Sequence, residues 1–319
     1  MVTWPFLSIV IPTYRREGVL RDTLKSVLQQ DYPHFEVIVV DQTADHEPET
    51  QALLNQLVAT GKITLFTVDW ASLPAARNYA IERCQGEIVV FIDDDVDLPH
   101  GFLQAHARNY ERPEVGAVAG RVFDRMKLAD SDGLVIEDLP PQAMDPGIAW
   151  YHIDLVHTVK PQRVLTARGC NMSFRRELFN TFNLRFDERF HGSAVREESD
   201  FCLHIRQTGL IIWYDPAAHL VHLGEETGGC HDISTRSLSY QLNFYHNHFL
   251  MALKNLTALE VVRLAIKLFD CHVLGNPPCY KDSGPVKIVS RSIFYLMGLL
   301  YACLTLLTTL GRQGRIYAS

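Results

Sequence analysis

The chain has 319 residues, 47% hydrophobic and 21% charged, which is enough for one large folded domain or two. Its net charge of −7 argues against a general nucleic-acid-binding protein, because such proteins carry a basic excess. The seven cysteines are scattered and never spaced C-x-x-C, a pattern typical of reduced cytosolic thiols and of neither a disulfide framework nor a zinc site. The N-terminal residues lack a basic start, so no secretory signal is expected.

The first hundred residues alternate between short apolar runs and segments with helical spacing. Short β-branched runs predict strands at 7–11, 35–40, 63–68 and 88–92. Apolar residues three or four apart predict helices at 18–30, 50–60 and 73–83. Pro74 suits the first turn of the last of these helices. This alternation indicates an α/β fold with a mostly parallel sheet and helices on both faces.

Three consecutive aspartates, Asp93, Asp94 and Asp95, follow the fourth predicted strand. The uncharged run at 88–92 is typical of a buried central strand, and Pro99 ends regular pairing soon after it. In open α/β sheets, ligands bind outside the carboxyl ends of the strands, where these carboxylates lie. Packed carboxylates repel one another unless a cation joins them. The triplet therefore predicts either a divalent-ion site with oxygen ligands or a solvated acidic turn.

Two common nucleotide-binding motifs are absent from the sequence. No G-x-G-x-x-G follows the first strand, and no G-x-x-x-x-G-K-[ST] occurs anywhere in the chain. These absences argue against a dinucleotide fold of the common type and against the P-loop nucleotide hydrolases.

The order of motifs along the chain resembles that of family 2 inverting glycosyltransferases, which have the A-type glycosyltransferase fold. The matching stretches are residues 8–14, 37–41, 76–78, 91–95, 169–176, and 186–188 leading to 197–201. The resemblance implies a catalytic domain over 1–250, in which 6–120 form the nucleotide-sugar-binding half and 121–250 the acceptor-binding half. Residues 251–319 would follow as a C-terminal helical segment.

The resemblance implies that the donor, most simply a UDP-sugar, lies across the strand ends of the N-terminal half. Asp41 would bind the base, although it also suits a turn cap. Pro12, Thr13 and Tyr14 match the loop that borders the nucleoside. Arg77 matches a cation near the nucleotide, and a structural salt bridge explains it equally well.

The triplet matches the D-x-D motif of the family, with Asp93 and Asp95 as its outer members. This match implies that Asp93 faces the ribose and that Asp95 coordinates Mg²⁺ or Mn²⁺ between the two phosphates. Asp94 is also a candidate for donor binding, because the register of the motif can shift by one. His222 matches the histidine that completes the metal sphere, and His219, three residues earlier, competes for that role.

Inverting transfer needs one base that takes the proton of the acceptor hydroxyl. The acidic motif of the family matches Glu197, Glu198 and Asp200, and it implies that Glu198 is the base. Aspartate is commoner at that position, so Glu197 and Asp200 remain alternatives and candidates for substrate binding. A solvated helix start would explain the same carboxylates. The apolar residues that begin at Phe201 favour a buried segment whose carboxylates face a cleft.

Two further stretches concern the acceptor and the donor. Residues 124–165 correspond to the variable region of the family, in which Trp150, Tyr151 and His152 would either stack on a sugar or belong to the core. The glycine-rich residues 224–229 predict a mobile loop that the donor orders.

The C-terminal part of the sequence favours membrane association. Residues 256–274 have the pattern of an amphipathic helix, and 292–311 form an uncharged run long enough to cross a bilayer. Basic residues flank the run at both ends, so they indicate no orientation. A bilayer, packing on the domain or a dimer interface would each cover this run. We expect a peripheral or single-pass protein on the cytoplasmic side of a membrane.

These observations predict a metal-dependent inverting glycosyltransferase that moves a sugar from a nucleotide sugar to a glycan or a lipid-linked acceptor, as in cell-surface polysaccharide or glycolipid synthesis. A sugar nucleotidyltransferase is one alternative, but it would need a glycine-rich loop after the first strand, and residues 12–16 contain no glycine. A non-enzymatic carbohydrate-binding protein is the other, and it would not need three acidic sites at matched spacing.

Overall fold

The computed structural model describes residues 4–124, 134–225, 227–229, 238–279, 281–282 and 284–316, with side chains as far as residue 308. Part of the predicted variable region, residues 125–133, therefore lies outside the described residues, as does Glu226 of the glycine-rich loop.

The described part of the chain folds around one nine-stranded sheet. The strands are β1 (Leu7–Thr13), β2 (Phe35–Asp41), β3 (Thr64–Thr67), β4 (Ile88–Ile92), β5 (Val96–Asp97), β6 (Val115–Asp124), β7 (Gln162–Val164), β8 (Asn171–Arg175) and β9 (Ile211–His222). The α-helices are α1 (Gly18–Leu28), α2 (Pro48–Ala59), α3 (Leu73–Ile81), α4 (Phe102–Ala107), α5 (Glu177–Asn180), α6 (Glu197–Ile205), α7 (Leu238–Asn255), α8 (Ala258–Leu268) and α9 (Pro285–Ile316).

The N-terminal half confirms the predicted α/β arrangement. Strands β3, β2, β1 and β4 lie side by side and run parallel, with α1, α2 and α3 as the connections between them. Alternate residues of β4 pack into two different cores: Ile88, Val90 and Ile92 into one, and Val89 and Phe91 into the other. Since both faces of β4 are buried, its sequence is continuously apolar and does not alternate between apolar and polar residues.

The second half makes the sheet mixed. Strand β8 runs antiparallel to both β4 and β6, and β6 then pairs parallel with β9. The sequence pattern does not reveal β8, because its residues Asn171 and Ser173 are polar and yet fully buried. The two short strands β5 and β7 pair with β9 at different points of its length.

The C-terminal helices pack on the rest of the fold through a third core cluster. Helix α7 continues through residue 250, so the expected boundary between catalytic domain and C-terminal segment falls inside one helix. Helix α9 lies against α7 at Gly298, where an added Cβ would come within 2.5 Å of the Tyr245 Cβ. The stretch Pro285–Thr308 is long and apolar enough to cross a membrane by length and composition.

A buried polar network joins α4 to the second half of the sheet. His106 on α4 is fully buried and bonds the Asn171 Oδ1 (2.9 Å) and the Ser173 Oγ (2.8 Å). The Asn171 Nδ2 in turn donates to the carbonyl oxygens of Arg121 and Ala218, both at 2.9 Å. Because the Asn171 oxygen only accepts, the Nε2 of His106 carries a proton. Burial lowers the pKa of this ring to about 4, so at neutral pH its Nδ1 is unprotonated and accepts from the Ser173 hydroxyl.

We expect this histidine to contribute to acid unfolding. Burial lowers the pKa of His106 from 6.5 to about 4, so its contribution to stability is complete above pH 6.5 and is lost as the pH falls towards 4. The loss amounts to about 3 kcal/mol at the acid end. His106→Gln should therefore show a shallower fall in the free energy of unfolding between pH 6.5 and 4, measured by urea denaturation. Equal slopes in the two proteins would contradict this assignment.

Candidate active site

Strand pairing brings distant parts of the chain together at the carboxyl end of β4. Val96, just after the aspartate triplet, pairs with His222 at the end of β9. His222 also pairs with Asp124 at the end of β6. Ile92 pairs with Asn171 at the start of β8, so residues 168–170 lie beside the triplet. The site is therefore a product of register between strands that are far apart in sequence.

These strand ends form one side of a cleft. Ten of the predicted site residues line it: Pro12, Thr13, Tyr14, Arg77, Asp93, Asp94, Asp95, Glu197, Glu198 and His222. It is also lined by residues that the sequence analysis did not single out, among them Arg16, Gln42, Arg168, Cys170 and the segment 193–195. The predicted residues Asp41 and Asp200 are not among those that line the cleft.

The outer aspartates of the triplet face His222. The His222 Nε2 lies 3.3 Å from the Asp95 Oδ1 and 3.9 Å from the Asp93 Oδ2. Burial acts to raise the pKa of Asp95, but the hydrogen bond with His222, the charges of His222 and Arg16 and the Glu225 backbone N–H together outweigh it, so the pKa is lowered overall. Burial likewise acts to lower the pKa of His222, and its contacts with Asp124 and Asp95 raise it to about 11. Without a bound cation, the imidazolium supplies the positive charge between these carboxylates.

The donor set of this cluster fits a divalent cation. Donor atoms of Asp93, Cys170 and His222 all lie within 4.8 Å of one another. The Nδ1 of His222 is 3.4 Å from the Asp124 Oδ1, which leaves Nε2 directed at the triplet, as in carboxylate–histidine–metal triads. Carboxylates with one imidazole suit Mg²⁺ or Mn²⁺, and the thiol adds a softer donor.

The competing histidine, His219, lies elsewhere. Its ring packs against Phe123 at a centroid distance of 5.8 Å, and its Nδ1 is 3.2 Å from the Ala217 oxygen. The three-residue spacing from His222 on a strand places the two side chains on opposite faces, which explains why only one of them reaches the triplet.

The middle aspartate has a different environment. Asp94 is buried, and its Oδ1 lies 3.5 Å from the Arg16 Nε. Burial raises the pKa of Asp94 to about 7, against the opposing effect of Arg16. Arg16 also lies 3.6 Å from Asp95, so one guanidinium serves both carboxylates. The adjacent arginines at 15 and 16, just after a predicted strand, were the sequence signal for this cation.

Arg77 is a buried connector between three elements. Its guanidinium is paired with the Glu197 carboxylate on α6 and lies 3.8 Å from the Asp93 Oδ1 at the end of β4. Its Nη2 donates to the Gly169 oxygen at 3.0 Å. The Arg77 side chain is 1% exposed. Its contacts match the structural salt bridge that the sequence analysis gave as the alternative to a cation near the nucleotide.

The three acidic residues at the start of α6 have three different surroundings. Glu197 is held by Arg77, as described above. Asp200 is buried outside the cleft, where its carboxylate accepts from the Lys254 Nζ and the Asn255 Nδ2, both at 2.7 Å. Glu198 is half-buried and lines the cleft, and no cationic side chain in the described part of the chain lies within 4 Å of its carboxylate. Glu198 is thus the acidic residue of this helix that faces the cleft without an ion pair.

The carboxylate of Asp41, which was expected to bind the base, is hydrogen-bonded within the loop that follows β2. It is 2% exposed, its Oδ2 lies 2.8 Å from the His46 Nε2, and its Oδ1 accepts from the Thr43 backbone N–H at 2.9 Å. These contacts match the alternative of a turn cap. The next residue, Gln42, lines the cleft instead. The sequence analysis missed Gln42, because nothing in its pattern separates it from an ordinary loop residue.

The aromatic residues of the variable region lie behind the cleft wall. Trp150 packs against the third core cluster, and the Arg196 guanidinium lies 5.2 Å from its ring centroid. The ring centroid of Tyr151 is 6.1 Å from that of His272. His152 follows them, and none of the three is among the described residues that line the cleft. Trp150 matches the core alternative, and Tyr151 and His152 are half-buried.

The glycine-rich loop contacts the loop after β1. The Glu225 backbone N–H donates to the Asp95 Oδ2 at 2.9 Å, and the Gly229 N–H donates to the Tyr14 oxygen at 2.7 Å. Arg16 donates to the oxygens of Glu225 and Thr227. These contacts place the described part of 224–229 over the triplet, where it would meet a ligand.

Solved structures with the same fold are glycosyltransferases. The mannosyltransferase PcManGT from Pyrobaculum calidifontis, in complex with GDP-Man and Mn²⁺, matches 97% of this chain and 81% of its own, with a TM-score of 0.56 and 18% identity. TarS 1–349 from S. aureus, in complex with UDP-GlcNAc, matches 92% and 81%, with a TM-score of 0.61 and 18% identity. At these identities the likeness establishes the fold, which is the A-type glycosyltransferase fold.

The family follows from the sequence match. The model of Glycosyl transferase family 2 matches residues 8–182, more than half of the chain. The chain therefore belongs to glycosyl transferase family 2, a family of enzymes, as its motifs predict.

Curated relatives include proteins named for bacterial polysaccharide and glycan synthesis. The O-antigen biosynthesis protein RfbC of Myxococcus xanthus is 28% identical over 232 residues, which are 68% of this chain but 17% of RfbC. The GalNAc(5)-diNAcBac-PP-undecaprenol beta-1,3-glucosyltransferase of Campylobacter jejuni is 23% identical over 242 residues, 69% of this chain and 72% of that enzyme. The match to the first three relatives covers only 17%, 38% and 34% of their lengths.

The buried Arg77–Glu197 pair yields a stability prediction. Arg77→Met would leave the Glu197 carboxylate buried without its cation, and we expect a loss of about 3–5 kcal/mol in the free energy of unfolding. The double variant Arg77→Met/Glu197→Gln should lose less than the sum of the two single variants, because it removes both charges. Denaturant unfolding measures all three.

Lys160 provides the matched control, because its ion pair with Asp138 lies in solvent. Lys160→Met should leave the free energy of unfolding nearly unchanged. If Arg77→Met behaves like this surface control, Arg77 does not connect the elements as described.

Proposed function

We propose that this protein is a metal-dependent inverting glycosyltransferase that transfers a sugar from a nucleotide sugar to a hydroxyl of a glycan or a lipid-linked acceptor. The observation that carries the proposal is the 3.3 Å approach of the His222 Nε2 and the Asp95 Oδ1 in the cleft that Glu198 also lines. Family membership favours transfer over the alternatives of nucleotidyl transfer and non-enzymatic sugar binding.

The donor is assigned to the part of the cleft that the strand ends of the parallel half form. Pro12, Thr13 and Tyr14 would border the nucleoside, and Asp93 would face the ribose. Structures of similar fold contain different nucleotide sugars, UDP-GlcNAc in TarS and GDP-Man in PcManGT. The nucleoside of the donor would accordingly be uridine or guanosine. A UDP-sugar is the donor that we expect. The base-binding role of Asp41 needs its carboxylate to turn from His46. The neighbouring Gln42 lines the cleft, where its amide bonds the Thr13 oxygen and the Ser72 N–H.

Asp95 and His222 would hold the cation, with Asp93 and Cys170 at its margin. A bound Mg²⁺ or Mn²⁺ neutralises the charge that develops on the leaving nucleoside diphosphate. Asp124 keeps the His222 ring oriented through Nδ1. Arg16, which lies 3.6 Å from Asp95, adds a fixed positive charge on the nucleoside side of the same carboxylate.

Glu198 is the proposed base. Its carboxylate would take the proton of the acceptor hydroxyl while the acceptor oxygen forms its bond to the anomeric carbon. The bond from that carbon to the diphosphate oxygen breaks on the opposite face, so the configuration inverts. Glu197 and Asp200 are less suited to this role, because Arg77, Lys254 and Asn255 already hold their carboxylates.

The setting that we propose is the synthesis of a cell-surface polysaccharide or glycolipid at the cytoplasmic side of a membrane. Curated relatives support this setting, because they include a protein of O-antigen synthesis and an enzyme named for an undecaprenol-linked glycan. The apolar helix at 285–308 is the feature of this chain that fits a membrane-associated protein. Release of nucleoside diphosphate from a panel of nucleotide sugars, with and without acceptor, tests the activity directly.

The cation site is tested by Asp95→Asn. The amide still accepts a hydrogen bond from the Glu225 N–H but is a poor ligand for Mg²⁺ or Mn²⁺, so folding should persist. We expect a loss of roughly 10²–10³-fold or more in transfer rate and weaker Mn²⁺ binding by calorimetry. Asp97→Asn, two residues on and exposed, is the control. Full activity of Asp95→Asn, or activity that survives exhaustive chelation, would remove the metal from the mechanism.

The base is tested by Glu198→Gln, which keeps the shape of the side chain but accepts no proton at neutral pH. We expect turnover to fall by about 10²–10⁴-fold with donor affinity nearly unchanged, because the base acts on the acceptor. Steady-state kinetics and donor titration separate the two quantities. Glu82→Gln, at the exposed residue that directly follows α3, should behave as the parent protein. Near-normal turnover of Glu198→Gln would shift the role to Glu197 or Asp200.

A further inference from the structure

The outward face of α9 is uniformly apolar. Between residues 289 and 307, every residue with an exposed side chain is aliphatic or methionine: Val289, Ile293, Leu296, Met297, Leu300, Leu304 and Leu307. Leu296 and Leu300 are 63% and 62% exposed. The spacing of three and four residues places these side chains in one stripe along the helix. The outward face of a helix in a soluble protein normally carries charged residues instead.

The opposite face of α9 is docked along the domain. Phe294, Tyr295 and Leu299 pack into the third core cluster, and Ala302 is fully buried. The Thr305 Oγ1 bonds the buried His246 of α7 at 3.0 Å. A helix that crossed a bilayer would either lose these contacts or carry α7, with its buried histidines and asparagine, into the hydrocarbon. The packing therefore favours a helix that lies flat on the domain.

Helix α8 extends the apolar surface beside α9. The Tyr295 hydroxyl donates to the Ala265 oxygen at 2.9 Å, which fixes the contact between the two helices. Leu259, Val262 and Ile266 of α8 are 69%, 54% and 66% exposed. Two adjacent helices with exposed aliphatic faces present a broader surface than the single seam of a coiled coil.

Charge separates this region from the rest of the chain. Residues 251–319 contain eight Lys and Arg against three Asp and Glu, a net charge of +5, whereas residues 1–250 contain 22 and 34, a net charge of −12. Part of this excess is already paired, since Arg263, Lys267 and Lys287 lie against Asp145, Asp270 and Asp282. The remaining positive charge and the apolar face complement an anionic lipid surface. The same positive charge disfavours pairing with an identical segment of a second copy, and the apolar stripe holds no exposed charge that would set the register of a helix pair.

We propose that α8 and α9 form a membrane-binding surface that lies in the plane of an anionic bilayer and does not cross it. This inference specifies the membrane association included in the proposed function, and it is independent of the transfer chemistry. The aliphatic side chains of the stripe would enter the interfacial region, and the basic residues around them would face lipid phosphates. A single-pass topology through 292–311 is thereby set aside.

The first test is vesicle binding by the full chain. The protein should co-sediment with phosphatidylcholine vesicles that contain phosphatidylglycerol and bind less to phosphatidylcholine alone, with affinity falling as salt rises. Leu296→Ser and Leu300→Ser should each weaken binding roughly tenfold or more, because each removes a buried aliphatic contact with lipid. Val58→Ser, at a partly exposed valine of α2, is the control and should bind as the parent protein. Thermal unfolding verifies that the variants are folded.

The second test distinguishes an in-plane helix from a spanning one. Alkaline carbonate should extract the full-length protein from membranes of expressing cells, because a surface-bound helix is released and a spanning helix is retained. Retention would overturn the proposal, and so would an absence of vesicle binding. A dimer in sedimentation analysis would then indicate that a second copy covers this surface. Nucleoside diphosphate release by the lipid-binding variants, measured without vesicles, should stay at the parent level. Absence of nucleoside diphosphate release by the parent protein would count against the proposed function and not against the membrane surface.

Discussion

Charge compensation at the carboxyl end of β4 is the constraint on which the rest of the site depends. Five carboxylates meet there with four cationic groups: Asp93, Asp94, Asp95, Asp124 and Glu197 with Arg16, Arg77, Arg168 and His222. Burying this many acids without partners would cost several kcal/mol for each. Each cation comes from a different element, so the native register of the strands is also the arrangement that neutralises the acids. Folding and assembly of the site are thus the same event.

The charge compensation is unequal, and it leaves one carboxylate of the cleft without an ion pair. Arg16 serves Asp94 and Asp95, and Arg77 serves Glu197 and Asp93. Arg168 binds Asp124, which in turn orients His222. Glu198 stands next to a compensated residue and yet has no described cation within 4 Å. A carboxylate at the start of a helix, with no ion pair in the described part of the chain, would be available to accept a proton, as proposed for Glu198.

Much of this arrangement is predictable from the sequence, and the exceptions have physical reasons. The uncharged run predicts β4 with its observed bounds, because a strand buried on both faces leaves a continuous apolar signal. Strand β8 leaves no such signal, since the buried Asn171 and Ser173 depend on His106, which is distant in sequence. Asp200 matches its motif but faces Lys254, because successive positions of a helix point in different directions. The sequence spacing identifies the acidic cluster at 197–200. Which of its carboxylates faces the cleft depends on the position of each residue around the axis of α6.

The C-terminal helices and the cleft share one segment of the chain. Residues 193–195 line the cleft, while Phe190 and Ala194 belong to the third core cluster with α7 and α9. Two hydrogen bonds join the His191 backbone to the Asn247 side chain of α7, and the Arg196 Nε lies 3.1 Å from the His248 Nε2. Arg196, in the left-handed conformation at φ 75°, directly precedes α6 and its acidic turn. The wall that carries Glu198 therefore rests on the helices with the exposed apolar surface. An acceptor anchored in the same lipid surface would approach a cleft whose wall is fixed relative to that surface.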